Sequence, residues 1–86
     1  MPELSRFYGI IIRMFNGDHP PPHFHAVYQG EQVQVNIETL QVMKGRMRGR
    51  ALALVREWAG LHREELRRAW DLASQNQEPD KIEPLE

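Results

Sequence analysis

The chain contains no cysteine. Disulfide staples and thiolate zinc sites are therefore excluded, and the composition agrees with a reducing, cytoplasmic location. No apolar run approaches the roughly 18–20 residues that a membrane span needs, and the N-terminus shows no signal-peptide pattern, so no membrane partner is expected. Charge of either sign is scarcely in excess: the formal net charge is −1 over 86 residues, which argues against nucleic-acid binding by bulk charge. Length is a further limit. A chain this short reads as one domain spanning residues 1–86 and buries only about 60–65% of its unfolded surface. A deep substrate cavity is not expected. A shallow surface site, or one at a homodimer interface, fits better.

What the chain does have is unevenly placed. Asp18-His19-Pro20-Pro21-Pro22-His23-Phe24-His25 gathers three of the four histidines and an aspartate around three consecutive prolines. Proline fixes its own φ near −65° and pushes the preceding residue toward extended geometry, so the tract is stiff. A stiff tract positions imidazoles at little entropic cost, and imidazole titrates near neutral pH. Charge is also segregated. Between Lys44 and Arg68 there are eight basic residues against three acidic ones, and from Asp71 to Glu86 there are five acids against Lys81. This pattern offers a surface for RNA, DNA or an acidic partner through the Arg46–Arg68 region. The competing reading is a solvated helix face followed by a polar tail.

The front half reads as strands. Residues 6–15 are rich in β-branched and aromatic side chains and predict one largely buried strand. Asn16-Gly17-Asp18 is a turn signal. Strands follow at about 23–28, 32–37 and 40–44. A two-residue loop at Gln29-Gly30 would set Tyr28 opposite Glu31, Ala26 opposite Val33 and Phe24 opposite Val35, with His25 meeting Gln34 and His23 meeting Asn36. Apolar then meets apolar and polar meets polar. A second turn at Glu38-Thr39 would pair Ile37 with Leu40 and Val35 with Val42. Period-two geometry puts His23 and His25 together on the face opposite Phe24 and Ala26. Gln34, Asn36 and Arg13 join them on what is expected to be an open, polar face.

From about residue 49 to 76 the apolar period lengthens to three and four, predicting a helix or a helix pair kinked near Gly60. Trp58 and Trp70 are expected to close the core over the sheet, and His62 to pack on the helix face or against a carboxylate. Residues 79–86 read as an extended tail whose Ile82 and Leu85 dock at an edge. The expected fold is α+β: a three- to four-stranded antiparallel β-meander with one face covered by a C-terminal helix or kinked helix pair.

Three readings of the histidine segment follow. In the first, His23, His25, His19 and Asp18 bind a divalent metal such as zinc. In the second, His23 or His25 is a general acid or base and Arg13 holds a phosphate, as in a histidine-based ribonuclease. In the third, Asp18 caps the turn and the histidines bond to backbone carbonyls. Nucleophile-elbow, Walker and dinucleotide motifs are absent.

Ser5-Arg6-Phe7-Tyr8-Gly9-Ile10, Asp18-His19, Pro21-Pro22-His23-Phe24-His25-Ala26 and Tyr28 together resemble a small bacterial domain-of-unknown-function family (DUF4160-like). Ile37-Glu38-Thr39, Arg50-Ala51-Leu52, Glu57-Trp58-Ala59, His62-Arg63-Glu64-Glu65-Leu66, Trp70 and Lys81-Ile82-Glu83-Pro84-Leu85 extend the resemblance over nearly the whole chain. Gly49 stands where a proline or another helix starter is expected. The resemblance implies a stand-alone prokaryotic protein encoded beside another short domain of unknown function, an arrangement like a toxin–antitoxin pair. It therefore implies an interaction or regulatory component with a partner protein from a neighbouring gene. The alternative is a small hydrolase, metal-dependent or a histidine-based ribonuclease, using the Asp18-His19/His23-His25 cluster.

Overall fold

Residues 3–86 are described by a computed structural model in which five strands follow one another through a single antiparallel sheet. They are β1 (Glu3–Phe7), β2 (Ile10–Arg13), β3 (His23–Tyr28), β4 (Glu31–Asn36) and β5 (Val42–Arg46), followed by α1 (Gly49–Leu61) and α2 (Arg63–Ser74). The architecture is α+β with meander order, as expected, but with one strand more.

The additional strand comes from the segment read as one continuous run over 6–15. Tyr8 and Gly9 adopt φ of 50° and 81°, the left-handed pair of a tight hairpin turn, so the run folds back as β1 and β2. Phe7 then faces Ile10 across the hairpin. Strong β-formers on both sides of the turn conceal it, because Tyr-Gly is a weaker turn signal than Asn-Gly.

The β3–β4 register matches the expected pairing at every position from His23↔Asn36 to Tyr28↔Glu31. The following turn holds Val35 opposite Val42 as expected, but Ile37 and Leu40 do not pair. Instead the Asn36 side-chain oxygen accepts the N–H groups of Glu38 and Thr39 at 2.8 and 3.0 Å, an Asx turn that delays β5 by two residues. A register shift follows on β5, where Gly45 lies at φ 90° with no room for a Cβ beside the Gln32 carbonyl.

Period-two alternation sends Ile10, Ile12, Met14, Phe24, Ala26, Val33 and Val35 to the core. Helix α1 buries Ala51, Val55, Trp58 and Ala59 at helical spacing, and α2 buries Leu66, Ala69, Trp70 and Ala73. Trp58 is fully buried, edge-on to Phe24 at 5.9 Å, a geometry worth about 0.5–1.5 kcal/mol beyond area burial. The helices part at His62 (φ −123°, ψ 28°) rather than at Gly60. The His62 ring is held there by Glu65 at 2.6 Å and lies against Trp58. Residues 79–86 are extended without forming a strand: Ile82 donates to the Leu4 carbonyl at 2.8 Å and Trp58 donates to the Glu83 carbonyl at 2.8 Å.

Helix α2 crosses the end of the sheet at which β3 begins. Arg63 donates to the Ile37 carbonyl, Arg67 pairs with Glu38, and the Ala73 carbonyl accepts the Gly17 N–H. This passage shapes the histidine cluster.

Candidate metal centre

Alternation along β3 leaves His23 and His25 on one face, with ring centroids 5.3 Å apart. That face is not open at this end. His23 and His25 are 4% and 6% exposed, which corrects the expectation of a solvated polar surface. Trp70 of α2 lies 5.3 Å from the His23 ring, and Phe15 stands edge-on to His25 at 4.3 Å. Of the two covering residues, only Trp70 comes from an element that strand periodicity does not foresee. Phe15 follows β2 at the alternation that places Arg13 on this face, so its signal was present; Trp70 carries none.

The loop between β2 and β3 brings Asp18 back over the two rings. Its Oδ2 lies 3.0 Å from His23 Nε2 and 3.2 Å from His25 Nε2. Donor atoms of Asp18, His23 and His25 all fall within 4.8 Å of one another. His19 is not part of this group. Its side chain is exposed, and only its backbone N–H joins in, donating to Asp18 Oδ1 at 2.8 Å. Arg13 sits opposite His25 in the sheet, as its period requires. Among the described residues it forms no ion pair, with Asp18 or with any other carboxylate. His62 is separate and pairs with Glu65.

The hydrogen bonds decide how the rings are presented. His23 Nδ1 contacts the Pro21 carbonyl at 2.8 Å. A carbonyl only accepts, so Nδ1 carries the proton, and in the neutral ring Nε2 presents a lone pair. That lone pair faces a carboxylate oxygen. Two acceptors at 3.0 Å require a positive species between them, either a second proton or a cation. Anchoring one imidazole nitrogen on a backbone carbonyl while the other faces inward is how metal-ligating histidines are commonly held. The Gln32 amide N–H donates to His25 Nδ1 at 3.5 Å, so in the neutral ring Nε2 carries the proton and donates to Asp18 Oδ2 at 3.2 Å. Gln34 lies directly opposite His25, as expected.

Electrostatics agree with an anion held among nitrogen donors. Burial raises the Asp18 carboxyl, but the His19 N–H, the His25 ring and the nearby imidazoles outweigh it and hold the group below its ordinary range. Burial lowers His25, opposed by its bond to Asp18 and reinforced by the neighbouring His23, so its net direction is down. A neutral imidazole is the form that binds metal.

Bonds of about 2.0–2.1 Å at tetrahedral angles separate ligand atoms by about 3.3 Å. The two edges from Asp18 to the imidazoles, 3.0 and 3.2 Å, are close to this, and all three donor atoms lie within 4.8 Å of one another. Two imidazoles and a carboxylate suit zinc and its neighbours rather than calcium or magnesium.

A family model described as Domain of unknown function (DUF4160) matches residues 9–71. The chain belongs to that family. The match runs from the β1–β2 turn into α2, so this DUF4160 domain holds the whole Asp18–His23–His25 cluster and its Trp70 cover. Comparison with curated proteins and with solved structures finds no match. Among the described residues no helix is long and apolar enough to cross a membrane.

Proposed function

We propose that this DUF4160 protein is a small regulatory or interaction module built around a zinc-class divalent ion held by Asp18, His23 and His25, and that it works with a partner protein in a toxin–antitoxin-like pair. The observation that carries the metal reading is the His23 ring: its Nδ1 proton is committed to the Pro21 carbonyl while Nε2 faces Asp18 at 3.0 Å. An ion there would tie the proline loop to β3 beneath Trp70 and hold one end of the sheet rigid. Burial of both histidines supports an ion that shapes a surface more than one that meets a large substrate.

The hydrolase reading uses the same residues and has one observation in its favour. Three protein ligands leave a coordination position for water, the arrangement of catalytic rather than structural zinc sites, and the Asp18 side chain retains 24% of its exposure. Bound metal would supply a water acidified toward neutral pH.

Metal content of protein purified without a histidine tag tests the ion. About one equivalent of zinc, cobalt or nickel is expected after loading, and a content well below one equivalent would sink the metal reading. Co-expression with the product of the neighbouring gene tests the partnership, which predicts a complex that survives gel filtration; two independent species would count against it. Phosphodiester cleavage by the loaded protein, lost on chelation, would move the assignment to the hydrolase.

A further inference from the structure

The sheet has a second functional feature on the face that carries the histidines, beyond the part covered by Trp70. Cross-strand neighbours share a face, and the register lays two rows across β2 to β5. Arg13, His25, Gln34 and Lys44 form one row. Ile11, Val27, Gln32 and Arg46 form the next. Gln32, Lys44 and Arg46 are exposed, while Ile11, Arg13, Val27 and Gln34 are half-buried.

The charge on these rows is of one sign. Arg13, Lys44 and Arg46 have no ion-pair partner among the described residues, and neither row contains a carboxylate. Three acids lie beside the face, each with a nearer partner: Glu3, opposite Arg13, is paired with Arg6 at 2.8 Å, Asp18 with the two histidines, and Glu31, near Arg46, with Arg48 at 3.2 Å. Most basic residues on and just before the helices are engaged, Arg50 and Arg68 being the exceptions among the described residues. Arg48 is bound to Glu31, Arg56 to the Leu40 carbonyl, Arg63 to the Ile37 carbonyl, and Arg67 to Glu38 and Glu64. The tertiary structure thus engages much of the Arg46–Arg68 stretch and leaves Arg13, Lys44 and Arg46 on the sheet face without a direct ion pair among the described residues.

We infer that this face binds single-stranded nucleic acid. Lys44, Arg46 and Arg13 would meet phosphates, the half-buried Ile11 and Val27 would supply an apolar platform for base faces, and Gln32 and Gln34 carry amides that donate to and accept from exposed base edges. Four strands at about 4.8 Å spacing make a strip about 14 Å wide, the footprint of a short extended segment rather than of a duplex. Charge complementarity selects a polyanion, and the apolar and amide groups between the cations select one that presents bases. The inference stands independently of the metal reading, since neither Lys44 nor Arg46 touches the triad.

Fluorescence anisotropy with labelled 12-nucleotide RNA and DNA of the same mixed sequence tests it on the whole protein. Binding is expected with a log–log salt slope of about −2, from three phosphate contacts at about −0.7 each. Replacing both cations (Lys44→Ala with Arg46→Ala) should weaken binding at least tenfold and reduce the slope to about −0.7. Both side chains are exposed, so an unchanged melting temperature certifies the fold. Arg68→Ala, an exposed cation on α2 outside the face, should leave the affinity unchanged. RNA and DNA binding alike support the inference, and a preference between them reports contact with the 2′-hydroxyl. No binding at 50 mM salt, equal loss in Arg68→Ala, or equal binding of polyglutamate would each overturn it.

Discussion

His23 Nε2 lies 3.0 Å from Asp18 Oδ2 while the other nitrogen of the same ring is bound to the Pro21 carbonyl. The proline tract thus supplies both the carbonyl that orients the imidazole and, through the turn before it, the carboxylate that faces it. If a cation belongs between these atoms, His23→Ala and Asp18→Ala should each lower zinc affinity by at least tenfold in isothermal titration. His19→Ala should leave it unchanged, because the His19 side chain lies outside the cluster. Saturating zinc at about 100 times its Kd should stabilise the wild type by about 2.7 kcal/mol and raise its melting temperature. Neither triad variant should show that rise.

A second expectation concerns acid. Glu31 on β4 accepts the backbone N–H of Arg48, the residue before α1, at 2.8 Å, and Arg48 bonds it through its side chain too. The backbone bond, then the guanidinium, hold the Glu31 carboxyl below its ordinary value. In the window between the folded and unfolded pKa values only the unfolded chain takes up the proton, so this contribution is present above the unfolded value and lost as pH falls through the folded one. Melting temperatures measured from pH 7 down to pH 3 should fall less steeply for Glu31→Gln than for wild type. Equal slopes would remove Glu31 from the account.

Two glycines with the same backbone hand should respond differently to alanine. At Gly45 a Cβ would stand 2.1 Å from the Gln32 carbonyl oxygen at φ 90°, whereas at Gly30 (φ 81°) it would meet nothing within 4 Å. Gly30→Ala therefore pays only for the left-handed conformation, about 1 kcal/mol. Gly45→Ala must also move β5 off β4 and should cost roughly 3 kcal/mol or more. Urea titration distinguishes the two.

The fourth test is of the core. Trp58 fills the space between Phe7, Phe24 and the C-terminal tail, and its indole N–H is bonded to the Glu83 carbonyl. Trp58→Ala should cost about 3–5 kcal/mol and leave little folded protein at 37 °C. Trp58→Phe retains most of the packing but leaves a carbonyl without its donor. It should lose about 1–3 kcal/mol, with faster amide exchange at Ile82, whose N–H bonds Leu4 in the same tail.

Strand periodicity was sufficient to pair β3 with β4 residue by residue, to send Phe24 and Ala26 inward, and to send His23 and His25 outward together. Those are local consequences of a two-residue repeat closed by a tight turn, and the proline tract marks the cluster in the sequence itself. The hairpin at Tyr8-Gly9 was not legible, because its turn is carried by positive φ values that a tyrosine does not advertise. Nor was the burial of the histidines: Trp70 reaches His23 only because α2 crosses the end of the sheet. The membership of the cluster was likewise tertiary. Asp18 and His19 are adjacent and equally eligible by composition, yet the loop aims one at the two imidazoles and leaves the other in solvent. The basic stretch followed the same rule. Its charges were countable in the sequence, but which of them are engaged was decided by the carboxylates that folding brought beside Arg48 and Arg67 and the carbonyls beside Arg56 and Arg63, since such contacts depend on distance in space and not along the chain.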